Sequence, residues 1–264
     1  MSAIIDRLRP VSPARNKEGK RIKMLKKFLS AFATVALVAA LGAQSFGAEK
    51  KHKGASSSAR VESPLNLAVL VQDDLVSRVG SELDVTREFI RNLPAGSRVL
   101  VGYLRAGSLQ VRQPFTDDLA KAAAALRVPV ASESAGPYNP YTQVVEALRH
   151  FEPSGKNRNA VLLVSDGLDV SRGYDAVSAL NSIDLERAAR EASRRNVAVY
   201  SFYAPTVGLT DLNSYAAHIG QSSLARLSQK TGGEAFFQGT SFVTFDGYFE
   251  RLGRTLNARP TAAY

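Results

Sequence analysis

The sequence has no cysteine, no tryptophan and only three histidines. Without cysteine there is no disulfide, no thiolate metal site and no cysteine nucleophile. Without tryptophan, and with 8% aromatic residues, a core has to rest on Val, Leu, Ile, Ala and Phe. No G-x-S-x-G elbow, Walker loop, G-x-G-x-x-G turn or H-E-x-x-H helix occurs, so the common nucleophile, nucleotide and zinc signatures are missing. No apolar run reaches the roughly 20 residues that span a hydrocarbon core. What is present is a chain of 264 residues, 45% hydrophobic, long enough for one well-buried domain with extra segments.

The net charge of +10 is unevenly placed. Residues 1–60 carry 13 Lys and Arg against 3 Asp and Glu, leaving 21 of each in residues 61–264. A duplex-binding surface needs clustered cations to displace phosphate counterions. The balanced part of the chain has no such excess, so nucleic acid is not an expected partner.

From Met24 the sequence reads MLKKFLSAFATVALVAALGAQSFGAEKK. Lys26 and Lys27 precede an apolar run, Leu29 to Ala43, and small residues follow, with Ala43-Gln44-Ser45 and Ser45-Phe46-Gly47 as cleavage candidates. This is the layout of a secretory signal, and it predicts export to the periplasm or beyond. Membrane attachment would arise only if the signal stayed uncleaved. Residues 1–23 are a basic extension or a misassigned start, 24–47 the signal, 48–64 a charged, Ser-rich linker, 65–258 the folded domain and 259–264 a tail.

Within the domain, Leu65–Val71, Arg98–Leu104, Asn159–Val164 and Val197–Tyr203 are apolar runs suited to buried strands. Ser108–Phe115 alternates like an edge strand, joined to its predecessor by a tight turn at Gly107, and Glu234–Phe237 is a short last strand. Helical patterns fall at 81–93, 119–126, 142–151, 185–195, 223–230 and 243–256. Strands alternating with helices predict a three-layer, doubly wound α/β fold with a mostly parallel sheet. Ligands of such sheets sit at the carboxyl ends of the strands, which directs attention to the loops 72–80, 132–142, 165–180 and 204–222.

The order strand–helix–hairpin–helix–strand–helix, with TQVVEAL at 142–148 and VLLVSDG at 161–167, resembles von Willebrand factor type A domains. VAVYSFYAP and SLARLSQKTGGEAFF extend the likeness, which is closest to bacterial exported proteins described as related to that family. It runs from about Leu65 to Leu256. The resemblance implies a six-stranded sheet ordered 3-2-1-4-5-6 with only the third strand antiparallel. It also implies a role in binding a protein or cell-surface component rather than in catalysis.

Members of the family often hold Mg²⁺ in a metal-ion-dependent adhesion site, with an open position for a partner carboxylate. The ligands come from an Asp-x-Ser-x-Ser loop, a Thr and a distal Asp. Here Thr142 matches the Thr and Asp166 the distal Asp, but the first loop departs. One register puts Gln72, Asp74 and Val76 in the three places, as the strand length favours; the other puts Asp73, Leu75 and Ser77 there. A hard cation wants about six oxygen ligands, so the site at Asp73, Ser77, Thr142 and Asp166 is expected to be degenerate, binding Mg²⁺ weakly or not at all. Two carboxylates about 5 Å apart would repel by roughly 3 kcal/mol at an effective dielectric of 20, relieved by a cation or by Arg78 or Arg172.

Partner contacts are expected from Asp74 and from Tyr138, Tyr141, Tyr174 and Tyr215, since tyrosine in loops offers rigid, amphipathic contact area. The rival class is a hydrolase-like envelope enzyme with His218, in the 204–222 loop, as its base.

Overall fold

The computed structural model describes residues 61–152, 157–173, 181–240 and 244–258. The signal segment, the linker up to residue 60, Tyr174 and the tail at 259–264 lie outside the described residues. In chain order the elements are β1 (Leu65–Gln72), α1 (Val79–Arg91), β2 (Arg98–Arg105), β3 (Ser108–Thr116), α2 (Leu119–Ala124) and α3 (Pro140–Leu148). Then come β4 (Arg158–Ser165), α4 (Ile183–Arg194), β5 (Val197–Tyr203), α5 (Leu209–Leu212), α6 (Ser214–Lys230), β6 (Ala235–Phe236) and α7 (Asp246–Ala258). The sheet order is β3-β2-β1-β4-β5-β6, with β3 antiparallel to β2 and the other pairs parallel. This is the expected architecture.

β1 is buried at every position, which requires apolar cover on both faces of the sheet. Its alternation divides the interior. Leu65, Leu67, Val69 and Val71 join Leu83 and Ile90 of α1 and Phe249 and Leu252 of α7. Ala68 and Leu70 face the other way, onto Val144 and Leu148 of α3, Leu185 and Ala188 of α4, and Leu224 and Leu227 of α6. Each such Val, Leu, Ile or Phe side chain, fully buried, contributes roughly 1.5–3 kcal/mol. The β2–β3 hairpin turns at Ala106 and Gly107, with φ of 46° and 77°. Left-handed backbone at both positions gives the turn whose twist matches that of the flanking strands.

One helix begins earlier than its sequence pattern predicts. Where a loop is expected to run to residue 222, α6 already starts at Ser214, with the Asn213 side chain accepting from the amides of Tyr215 and Ala216. The first half of its inner face is small: Ala216, Ala217 and Gly220 are all buried. Small residues carry little hydrophobic contrast, so the stripe is faint until it is packed. Gly220 is required there, because a Cβ would stand 1.9 Å from the carbonyl oxygen of Asp166. That close approach presses α6 against the end of β4 and fixes the backbone beside Asp166. Among the described residues no helix is long and apolar enough to cross a membrane.

Candidate functional site

The strands β1, β4 and β5 end beside one another, and a cleft of about 490 Å³ opens at their carboxyl ends. Gln72 and Asp74 contribute from the end of β1, Asp166 and Leu168 from the end of β4, and Thr206, Val207 and Leu209 from the segment after β5. Glu133, Pro137 and Tyr138 also line it, with Glu133 packed against Gly208. The loop after β5 is tied to the loop after β1 by hydrogen bonds from Val76 N to the Pro205 carbonyl and from Val207 N to the Asp74 carbonyl.

Asp166 is buried and its carboxylate is fully engaged. Oδ1 accepts from Gln72 Nε2 at 3.2 Å and from Leu168 N at 3.1 Å, and Oδ2 accepts from Thr206 Oγ1 at 2.9 Å. Burial nonetheless pushes its pKa above the ordinary carboxylate range. Gln72 holds the corner together, since its Oε1 also accepts from the Ser165 hydroxyl. Asp74 is in a different position. It is 8% exposed, and its Oδ1 has no hydrogen-bond partner. Burial, then the charge of Asp166, raises its pKa to about 7. Gly136 makes room for it, because a Cβ there would stand 2.8 Å from Asp74 Oδ2.

Asp73 does not face this cleft, contrary to the metal-site expectation. The Asp73 amide bonds to the Leu104 carbonyl at 3.1 Å, which prolongs the alternation of β1 by one residue and turns adjacent side chains to opposite sides. Asp73 therefore points to the α1–α2 face, where Arg127 reaches it at 2.6 and 2.9 Å and Arg105 at 2.7 Å. Burial alone would raise its pKa, but those two guanidiniums and the Val130 amide hold the carboxyl below the usual range. Of the two registers, the structure adopts the one with Gln72 and Asp74 at the cleft.

Three further expectations are corrected. Thr142 is exposed and its hydroxyl donates to the Asn139 carbonyl at 3.0 Å, and Ser77 is exposed on the loop before α1; neither lines the cleft. Tyr141 is no contact residue: it is fully buried, with its hydroxyl donating to the Gly167 carbonyl. Arg78 does not fold over the carboxylates but pairs with Asp211 at 2.6 Å. Tyr138 and Tyr215 are exposed at 53% and 62%, and only Tyr138 borders the cleft. His218 is exposed on α6 and does not line it.

The remaining donors make a poor cage for Mg²⁺. A hard cation wants free oxygens in near-octahedral array, but both oxygens of Asp166 already accept hydrogen bonds and the Gln72 amide points an N–H at it, where a cation would have to bind. Among the described residues no group of three or more His, Cys, Asp or Glu side chains is placed to hold a metal. Thr206, Glu133 and Leu212 carry no motif of their own, and only the fold brings them to the rim.

No protein-family model and no curated protein matches the sequence. Solved structures do match. An aerotolerance-related membrane protein from Bacteroides fragilis is 11% identical with a TM-score of 0.52, covering 74% of this chain and 100% of its own. The conserved hypothetical protein BatB from Bacteroides thetaiotaomicron is 12% identical with a TM-score of 0.51, covering 73% and 97%. A chain described as the VWA domain of SpRpn10 is 15% identical with a TM-score of 0.43, covering 75% and 96%. At these identities the likeness is one of fold, and the sheet order β3-β2-β1-β4-β5-β6 with its antiparallel edge is that of a von Willebrand factor type A-like α/β fold.

Proposed function

We propose, from that fold as premise, that the protein is an exported binding module that docks a partner protein or cell-surface component at the strand-end cleft without a shared metal ion. The observation that carries this reading is the composition of the cleft and its rim. The carboxylates of Asp74 and Asp166 stand beside an apolar wall of Leu168, Val170 and Leu209, while Tyr138 and Leu212, exposed at 53% and 82%, stand at the mouth with exposed Tyr215 two residues beyond α5 and its Asn213 cap. Aromatic and apolar side chains left in water around a concave, largely apolar cleft with a few polar groups are what a protein interface uses.

A catalytic reading has less support. The cleft lining includes no histidine, lysine or cysteine among the described residues, and its one hydroxyl, on Thr206, is held between Asp166 and Thr210. Export is supported by the signal-like segment at 24–47. The Bacteroides fragilis neighbour, named as a membrane protein, agrees with an envelope location.

The test is site-specific photo-crosslinking in the native envelope. A photoreactive side chain at Tyr138 or Tyr215 should capture one discrete partner, and one at Arg112 on the distant β3 edge should not. Equal capture from all three positions would defeat the reading. The mass of the mature protein reports on export: a soluble cytoplasmic chain retaining residues 24–43 would defeat that part.

A further inference from the structure

Resting on that reading, we infer that the group the cleft receives is the cationic end of a lysine or arginine side chain carried by the partner protein. Three observations converge on it.

The first is an unmet acceptor. Asp74 lines the cleft while more than nine-tenths buried, and its Oδ1 has no hydrogen-bond partner. A buried carboxylate oxygen without a donor is unfavourable by several kcal/mol unless something arrives to bond it. Both oxygens of Asp166 already accept, from Gln72, Leu168 and Thr206, so the unbonded acceptor is on Asp74. Asp166 supplies field from behind, and Asp74 supplies the contact.

The second is uncompensated charge. Asp74, Asp166 and Glu133 line the cleft, and among the described lining residues there is no Lys, Arg or His. Arg105 and Arg127 are committed to Asp73 and Arg78 to Asp211, and Arg172 is exposed and does not line the cleft. The lining side chains do not neutralise this site, so a ligand of opposite charge draws Asp74 into its ionised form and gains the attraction of the carboxylates around it. In a low-dielectric cleft that attraction is larger than in water.

The third is shape. A volume of about 490 Å³ falls within the range of sites that take a single small group. Leu168, Val170 and Leu209 form an apolar wall along which the methylene stem of a long basic side chain can lie. Tyr138 at the mouth offers a ring face to the cation. An acidic partner side chain would meet three carboxylates with no metal between, and a plain apolar one would leave Asp74 unbonded.

The experiment uses the full-length chain, isotope-labelled, in an NMR titration with four blocked pentapeptides that differ only at the central residue: arginine, lysine, norleucine or glutamate. The arginine and lysine peptides should shift the amides of Leu168, Thr206 and Val207 and bind at least about tenfold more tightly than the norleucine peptide. Asp74→Asn, nearly isosteric, should erase about tenfold of that preference, and Glu133→Gln on the exposed rim about two- to threefold. Equal binding of the norleucine and arginine peptides, or no preference lost in Asp74→Asn, overturns the inference while leaving a docking cleft. Tighter binding of the glutamate peptide once Mg²⁺ is added also overturns it. The broader reading fails separately, if the partner crosslinks of Tyr138 and Tyr215 are absent.

Discussion

Asp73 and Asp74 are adjacent and chemically identical, yet their carboxyls are displaced in opposite directions. Arg127 and Arg105 keep Asp73 ionised against the effect of burial, whereas Asp74 has no such partner and sits near Asp166. The sign of the pH effect follows. Asp74 has an ordinary value of 3.8 and a folded value of about 7, so the folded state holds its proton where the unfolded chain has released it. Stability contributed by this group is therefore full below about pH 4 and is lost as pH rises to about 7. Asp166, raised by burial, slopes the same way. Asp74→Asn should be more stable than the native chain by roughly 1–3 kcal/mol near pH 8 and indistinguishable near pH 4, as measured by urea denaturation at the two values. Tyr138 presents a different trade. Its φ of 60° is left-handed backbone, held by the bond from Val170 N to its carbonyl at 2.7 Å, and a bulky residue in that region is strained. Tyr138→Gly should keep stability within about 1 kcal/mol, since relief of strain offsets the greater freedom of the unfolded chain. Partner capture should still weaken.

At the scale of elements, two contacts hold the cleft in shape from outside it. Asp73 ties the end of β1 to the Arg127–Ala131 segment through Arg127, the Val130 amide and its own carbonyl. Arg127 also lies over the Tyr103 ring at 4.0 Å, and the Tyr103 hydroxyl bonds to the Arg127 backbone. Removing the carboxylate leaves two guanidiniums without their partner, so Asp73→Ala should lose about 3 kcal/mol with Mg²⁺ response and peptide preference unchanged. The second contact is between β4 and α6 at Gly167 and Gly220. A Cβ at Gly220 would overlap the Asp166 carbonyl, so the helix must move or the strand end must bend. Gly220→Ala should destabilise by more than about 2 kcal/mol, read by thermal unfolding, and should loosen the loop after β4. The α6 start at Ser214 was hard to foresee because Ala216, Ala217 and Gly220 make its inner face, and small residues look alike on a helix and in a loop. The capping Asn213 was the available signal.

For the whole molecule, metal dependence is the property on which fold and residues part. The fold places the ends of β1, β4 and β5 together as an adhesion site needs, but this chain brings Gln72 and its N–H to the position beside Asp166. Millimolar Mg²⁺ or its removal by chelator should therefore leave the unfolding temperature unchanged, since a ligand that bound the native state would raise it. A rise that depends on Asp166 would show a working cation site.

The family resemblance supplied the strand order, and the alternation of apolar strands and amphipathic helices was enough to determine the layers and the hairpin edge. Those depend on periodicity, on short connections and on the handedness of crossovers, all of which a sequence carries locally. It was also enough to mark Asp74, Asp166 and Tyr138 as strand-end or rim residues. The tertiary structure alone decided which of two adjacent aspartates faces the cleft, because a shift of one residue reverses every side chain along a strand. It alone set Tyr141 inward and Thr142 outward, since Asn139 and Pro140 fix where α3 begins. Thr206, Glu133 and Leu212 meet across 80 residues of sequence, and only the packing of β5 and α5 against the loop after β1 brings them to one rim.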